Sequence, residues 1–234
     1  MSPHIDDDAL SIGGHLSKWA GAGEFVRVLY VFSSESWTNP AAIEVLDDSP
    51  TQDVIELRKK EALAASSLNG HDVEFLDFLR TERRGGRRGL RRRLAAVRAA
   101  RNQRRLADAI SRELALRFEG ATEVYLPLAC GDWVHPEHLL LRTIGTQLVG
   151  AAPRTYFYED LPYAARRGPE DAVPVYLLSK LEPVESEIDI DRKLELVRCF
   201  ASQVSERWID EVVSHSYHLG RDRPVERLWA YRSA

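Results

Sequence analysis

Two short segments carry side chains that could do chemistry together: His4-Ile5-Asp6-Asp7 near the start and His135-Pro136-Glu137-His138 in the middle. Zinc in a hydrolytic site usually keeps three protein ligands from histidine, aspartate or glutamate and leaves a position open for water. Two histidines and an aspartate drawn from these segments would supply that set. A further carboxylate beside the water can serve as general base, and a further histidine can stabilise an oxyanion or protonate a leaving amine. Taken singly, His-x-Asp-Asp also fits a polar turn with a helix-capping aspartate, and His-x-x-His is a weak signal. Their joint weight depends on where the surrounding elements put them.

Those elements are read from periodicity. Phe25–Phe32, Val73–Phe78, Glu123–Leu128, Arg154–Tyr158, Pro174–Leu178 and Glu226–Tyr231 are short apolar runs that predict strands. Helices are predicted around Ala9–Trp19 and over residues 51–68, 90–118, 138–149 and 191–213. Thr51 is placed to cap the second of these and Asn69-Gly70 to stop it. Strands alternating with helices argue for βαβ units and a mainly parallel sheet covered on both faces. In such sheets ligands gather at the carboxyl ends of the strands, where both histidine-and-carboxylate segments are expected to fall.

Composition narrows the class. A chain of 234 residues with 44% hydrophobic content suits one α/β domain, taken here as residues 1–234. No window is apolar enough to span a membrane and the start lacks signal-peptide character, so a cytoplasmic protein is expected. Cys130 and Cys199 are too few for a disulfide framework. The net charge of −4 conceals an asymmetry: residues 80–105 carry +11 and the rest −15. This arginine-rich stretch reads either as a solvated surface or as an attractor for an anionic substrate. It lacks interleaved aromatics, so no nucleic-acid partner is expected.

The sequence resembles the PIG-L/LmbE-like metal-dependent N-deacetylases, whose pattern is Pro-His-Pro-Asp-Asp-Glu early and His-x-x-His late. Pro3-His4-Ile5-Asp6-Asp7-Asp8 matches it with Ile5 for proline and Asp8 for glutamate. The likeness continues through Ser11-Ile12-Gly13-Gly14, Arg58-Lys59-Lys60-Glu61-Ala62, Leu126–Gly131 leading to His135-Pro136-Glu137-His138, Tyr158–Tyr163, Ala201-Ser202-Gln203 and Glu226-Arg227-Leu228-Trp229. The resemblance implies a Rossmann-like three-layer sandwich and zinc-dependent removal of an acetyl or other acyl group from an amino sugar or related intermediate, with another divalent ion as an option for the metal. It implies His4, Asp7 and His138 as metal ligands, Asp6 as general base, His135 at the oxyanion and Glu137 as the residue orienting it. Arg58, and Arg80 where relatives place an aspartate, are the substrate-facing positions. The implied partner is a small N-acetylated amino sugar or glycoside, with an anionic one and a homo-oligomer both compatible.

Three departures bear on this. Family members carry an apolar strand before the Pro-His motif, whereas only Met1-Ser2 stand here, so a first strand is expected to be missing: either this sequence lacks its natural start, or His4 and its neighbours sit on a frayed terminus, in which case weak metal binding is expected. Glu137 replaces the family's aspartate, and Arg80 falls in the arginine-rich insertion. These keep a catalytically silent binding or scaffold protein as the alternative. Tyr158 and Tyr163 are candidates for lining a sugar pocket but, with Phe157 and Leu161, read as core or subunit-interface residues; His15 and His71 read as structural or exposed, and His215 and His218 as surface residues.

Overall fold

The computed structural model describes residues 1–34, 51–79, 90–148, 154–220 and 222–232, without side chains at 51–52 and 90–100. In chain order the elements are α1 (Asp7–Gly21), β1 (Arg27–Tyr30), α2 (Thr51–Asn69), β2 (Asp72–Phe75), α3 (Leu90–Phe118), β3 (Glu123–Pro127), α4 (Pro136–Gln147), β4 (Arg154–Tyr158), α5 (Val175–Leu178), β5 (Leu181–Glu187), α6 (Ile190–Val197), α7 (Glu206–Gly220) and β6 (Val225–Tyr231). Arg80 and the residues through 89 lie outside the described residues; Arg101, Arg104 and Arg105 on α3 are exposed.

The sheet is mixed, which corrects the mainly parallel expectation. β1 pairs with β2 in parallel, and a second set runs in the order β3-β4-β6-β5, in which only β3 and β4 are parallel. Met1 to Pro3 occupy the slot between the two sets. Ser2 N–H donates to Leu29 O at 2.8 Å, Val31 N–H to Ser2 O at 3.0 Å and Phe32 N–H to Pro3 O at 2.9 Å, while the Met1 amino group donates to Tyr125 O on β3 at 2.9 Å. The strand thought missing is thus represented by a single bridge residue, Ser2, paired with Tyr30. Ser2 is fully buried, so the metal-type residues that follow are anchored and the expectation of a frayed start is overturned.

Two further expectations fail for physical reasons. Residues 174–178 form helix rather than strand, Pro174 standing at its start and Val175 and Tyr176 facing solvent. The neighbouring strand β5 went unseen because it is an edge strand, mostly exposed and glutamate-rich, held by its antiparallel ladder to β6 rather than by apolar burial. The helix predicted over 191–213 is broken between α6 and α7. The apolar period runs on through Val197, Phe200 and Val204, but the buried Glu61 carboxylate takes both Ser202 N–H (2.7 Å) and Ser202 Oγ–H, offering the backbone an alternative to helical bonds. Ser205 then supports the start of α7 by accepting Trp208 N–H.

Candidate active site

The loop from the Ser2 bridge into α1 carries the first half of the site. Ser2 Oγ–H donates to His4 O at 2.7 Å and accepts Asp8 N–H at 3.2 Å, and Tyr30 OH donates to Asp8 Oδ2 at 3.2 Å. Asp8 is therefore an internal brace; burial pushes its carboxyl up to about 6. Asp6 starts α1 with φ 144°, a conformation that costs a non-glycine residue about 1–3 kcal/mol and recurs at functional sites.

The second half stands at the carboxyl end of β3. Gly131, at φ 107°, turns the chain where an added Cβ would lie 2.4 Å from Tyr163 C, so glycine is required on both counts. Arg142 Nη1 donates to Leu128 O (3.0 Å) and Ala129 O (3.2 Å), tying this loop to α4. His135 precedes α4, Pro136 opens it, and His138 lies in its first turn.

The folding brings these halves together. Asp7 Oδ2 lies 3.1 Å from His4 Nδ1 and 3.1 Å from His138 Nε2, and the two nitrogens are 3.2 Å apart. Three ligand atoms bound to tetrahedral zinc at about 2.0–2.2 Å would stand roughly 3.3–3.6 Å from one another, so this slightly tighter triangle needs to open by only a few tenths of an ångström to form a zinc face. His4, His135 and His138 also offer ring nitrogens that all fall within 4.8 Å of one another. Behind the triangle, Asp160 accepts His138 Nδ1–H through Oδ1 and Cys130 N–H through Oδ2 at 3.1 Å. That bond leaves Nε2 as the nitrogen that faces Asp7 and His4. Burial opposes charge on His138, but Asp7 and Asp160 outweigh it and hold the imidazole well above its ordinary value. Asp7 is held correspondingly low despite its own burial, by His138 and His4.

Glu137 Oε2 lies 2.7 Å from His135 Nδ1, so the longer side chain reaches its histidine. Burial pushes His135 below an ordinary histidine, with Glu137 pulling the other way; Glu137 itself, despite burial, is drawn down to about 2 by His135. A cavity of about 200 Å³ opens over this group, lined by His4, Asp6, Asp7, Arg58 and His135 among others. Arg58 is 2% exposed and donates to Ile5 O at 3.3 Å.

Several positions were misread. Tyr163 and Leu161 line the cavity, with Trp133 and Trp208, instead of serving only as core or interface. His215 is no free surface residue, since its Nε2 lies 2.9 Å from buried Glu159. Asp160 was given no role; its signal was a Glu-Asp pair just past β4, at the carboxyl end of a strand. Gln203 was noted only as part of a matching triplet, yet it too lines the cavity.

Comparison with known proteins places these features. The profile of PIG-L, GlcNAc-PI de-N-acetylase, matches residues 1–149. The chain is 31% identical over 231 residues to a 2'-N-acetylparomamine deacetylase of Streptomyces fradiae, an alignment covering 92% of this chain and 76% of that one. It superposes on the A40926 pseudoaglycone deacetylase with a TM-score of 0.74 at 25% identity, covering 100% of this chain and 96% of the other. On the zinc-inhibited form of a teicoplanin deacetylase the TM-score is 0.73 at 21% identity, covering 98% and 95%, a likeness of fold.

Proposed function

The chain belongs to the PIG-L (GlcNAc-PI de-N-acetylase) family, and we propose that it removes the N-acetyl group of a glycosidic amino sugar by metal-assisted hydrolysis. One observation carries the reading: His4 Nδ1, Asp7 Oδ2 and His138 Nε2 stand 3.1–3.2 Å apart, and His4 and Asp7 line a cavity together with Asp6 and His135. His4, Asp7 and His138 would hold the metal, and the mixed nitrogen and oxygen donor set suits zinc. When bound, it supplies Lewis acidity that polarises the acetamide carbonyl and acidifies water.

The chain's own side chains do the rest. Asp6 takes the proton of the attacking water. His135, kept neutral at rest by burial and oriented through Nδ1 by Glu137, receives that proton from Asp6 at Nε2 and passes it to the leaving nitrogen as the C–N bond breaks, releasing acetate and the free amine. Asp160 keeps His138 in the tautomer that presents Nε2. Arg58, buried in the wall, meets the substrate's oxygen-rich face. The triangle is of the kind a catalytically silent scaffold would have no need to maintain. The 2'-N-acetylparomamine deacetylase relative supports an N-acetylated aminoglycoside-type ring as the substrate class.

The test is acetate release from N-acetylparomamine and simple N-acetylglucosamine glycosides by protein holding about one zinc per chain. Release should disappear with Asp6→Asn and zinc should be lost with His138→Ala. Bound zinc with no release from any of these substrates would overturn the reading.

A further inference from the structure

The break between α6 and α7 places Gln203 in the cavity wall with an exposure of 0%. Its amide orientation follows from a chain of donors. Glu61 can only accept when ionised, and it takes Ser202 N–H on one oxygen and Ser202 Oγ–H on the other. Ser202 Oγ has then given its proton away, so towards Gln203 it can only accept, and the NH₂ group of Gln203 faces it at 2.7 Å. Oε1 is left as the uncommitted atom of that amide. It has no hydrogen-bond partner among the described residues. A buried acceptor without a donor costs stability, and folded proteins leave few of them. The other polar side chains of this wall are carboxylates, imidazoles, the Arg58 guanidinium, the Tyr163 hydroxyl and the indoles of Trp133 and Trp208.

We propose that Gln203 Oε1 is a specificity-determining acceptor for a ring hydroxyl of the amino sugar, an inference that rests on the amino-sugar reading above. The Glu61-Ser202-Gln203 relay then has a purpose beyond shaping the α6–α7 break. It prevents the amide from turning its NH₂ to the sugar, so a hydroxyl oriented as donor is selected over a substituent that can only accept. A site built to pair with a hydroxyl discriminates strongly against the analogue lacking it, because the protein group is then left bare.

The experiment is calorimetric binding of methyl glucosaminide and its 3-, 4- and 6-deoxy analogues to zinc-loaded protein, which needs no turnover. It compares wild type with Gln203→Met, which keeps the volume and removes the acceptor, and with Ser202→Ala, which breaks the same relay but keeps Oε1. Thermal melting confirms folding of both variants. In wild type one deoxy analogue should bind about 10- to 100-fold more weakly than the parent sugar. In Gln203→Met the parent should fall to the level of that analogue, with no further loss for the analogue itself, whereas Ser202→Ala, which keeps Oε1 but frees the amide to turn, should retain only part of the discrimination between the two. Equal weakening of every sugar by both variants, no effect of Gln203→Met, or no binding of any of these sugars by wild type would overturn the proposal. Acetate release by wild type without the predicted coupling sinks the role of Gln203 alone; coupling without acetate release sinks the hydrolytic reading alone.

Discussion

Asp160 stands outside the His4-Asp7-His138 triangle, yet it decides which nitrogen of His138 enters it. Its Oδ1 holds Nδ1–H and its Oδ2 holds Cys130 N–H, so one carboxylate sets the tautomer and ties β4 to the loop after β3. Asp160→Asn, whose amide can present NH₂ to Nδ1, should weaken zinc binding about 10- to 100-fold in a competition titration. Asp6→Asn should behave differently: zinc stoichiometry unchanged, turnover lower by about 10²–10⁴-fold. Were Asp6→Asn to lose the metal instead, Asp6 would be a ligand and the division of labour between Asp6 and Asp7 would be wrong. The metal-type residues themselves were legible in the sequence because their types are chemically unusual at that spacing. Asp160 and Gln203 were not, since an aspartate after a strand and a glutamine near a helix are ordinary until something is seen to face them.

At the level of elements, the loop from β3 into α4 is held by Gly131 and Arg142. Gly131→Ala has to bear both a positive φ and a Cβ against the Tyr163 backbone. It should cost about 2–4 kcal/mol in denaturant unfolding and, because Tyr163 lines the cavity, raise KM as well. A loss below about 1 kcal/mol would mean the loop relaxes freely. Helices and central strands with buried faces were readable from periodicity, as β1, β3, β4 and β6 illustrate. The edge strand β5 was not, because its exposed glutamates carry no burial pattern and its existence depends on β6. The α6–α7 break was invisible for the converse reason: the local pattern was helical and a carboxylate from α2, 141 residues away in sequence, overrode it.

Across the whole molecule, one buried carboxylate joins distant parts. Glu226 on β6 accepts Gly14 N–H (2.8 Å) and His15 N–H (2.9 Å) from α1, and pairs with His15 Nδ1 (2.6 Å) and with fully buried Lys193 Nζ on α6 (2.8 Å). Burial, the largest influence, raises its pKa; Lys193 and His15 outweigh it and bring the group from 4.5 down to about 2. Because the folded value lies below the unfolded one, this stabilisation is complete above pH 4.5 and is lost as pH falls towards 2. It amounts to on the order of 3 kcal/mol. Unfolding measured across that window should therefore steepen, and Glu226→Gln should flatten the acid limb while lowering stability at neutral pH by stranding Lys193. Saturating zinc should raise the melting temperature by several degrees, since a ligand held at about 100 times its Kd adds about 2.7 kcal/mol. A chelator should reverse that shift, and an unchanged melting curve would argue against a metal held by α1 and α4 together. The sequence by itself determined the alternation of helices and strands and the two histidine- and carboxylate-bearing segments, because burial periodicity and residue chemistry are local properties. Only the tertiary structure decided that the sheet is mixed, that Ser2 alone stands in for a strand, and that His4, Asp7 and His138 meet within 3.2 Å. Each of these depends on hydrogen bonds and packing between residues far apart in the chain, which no local pattern records.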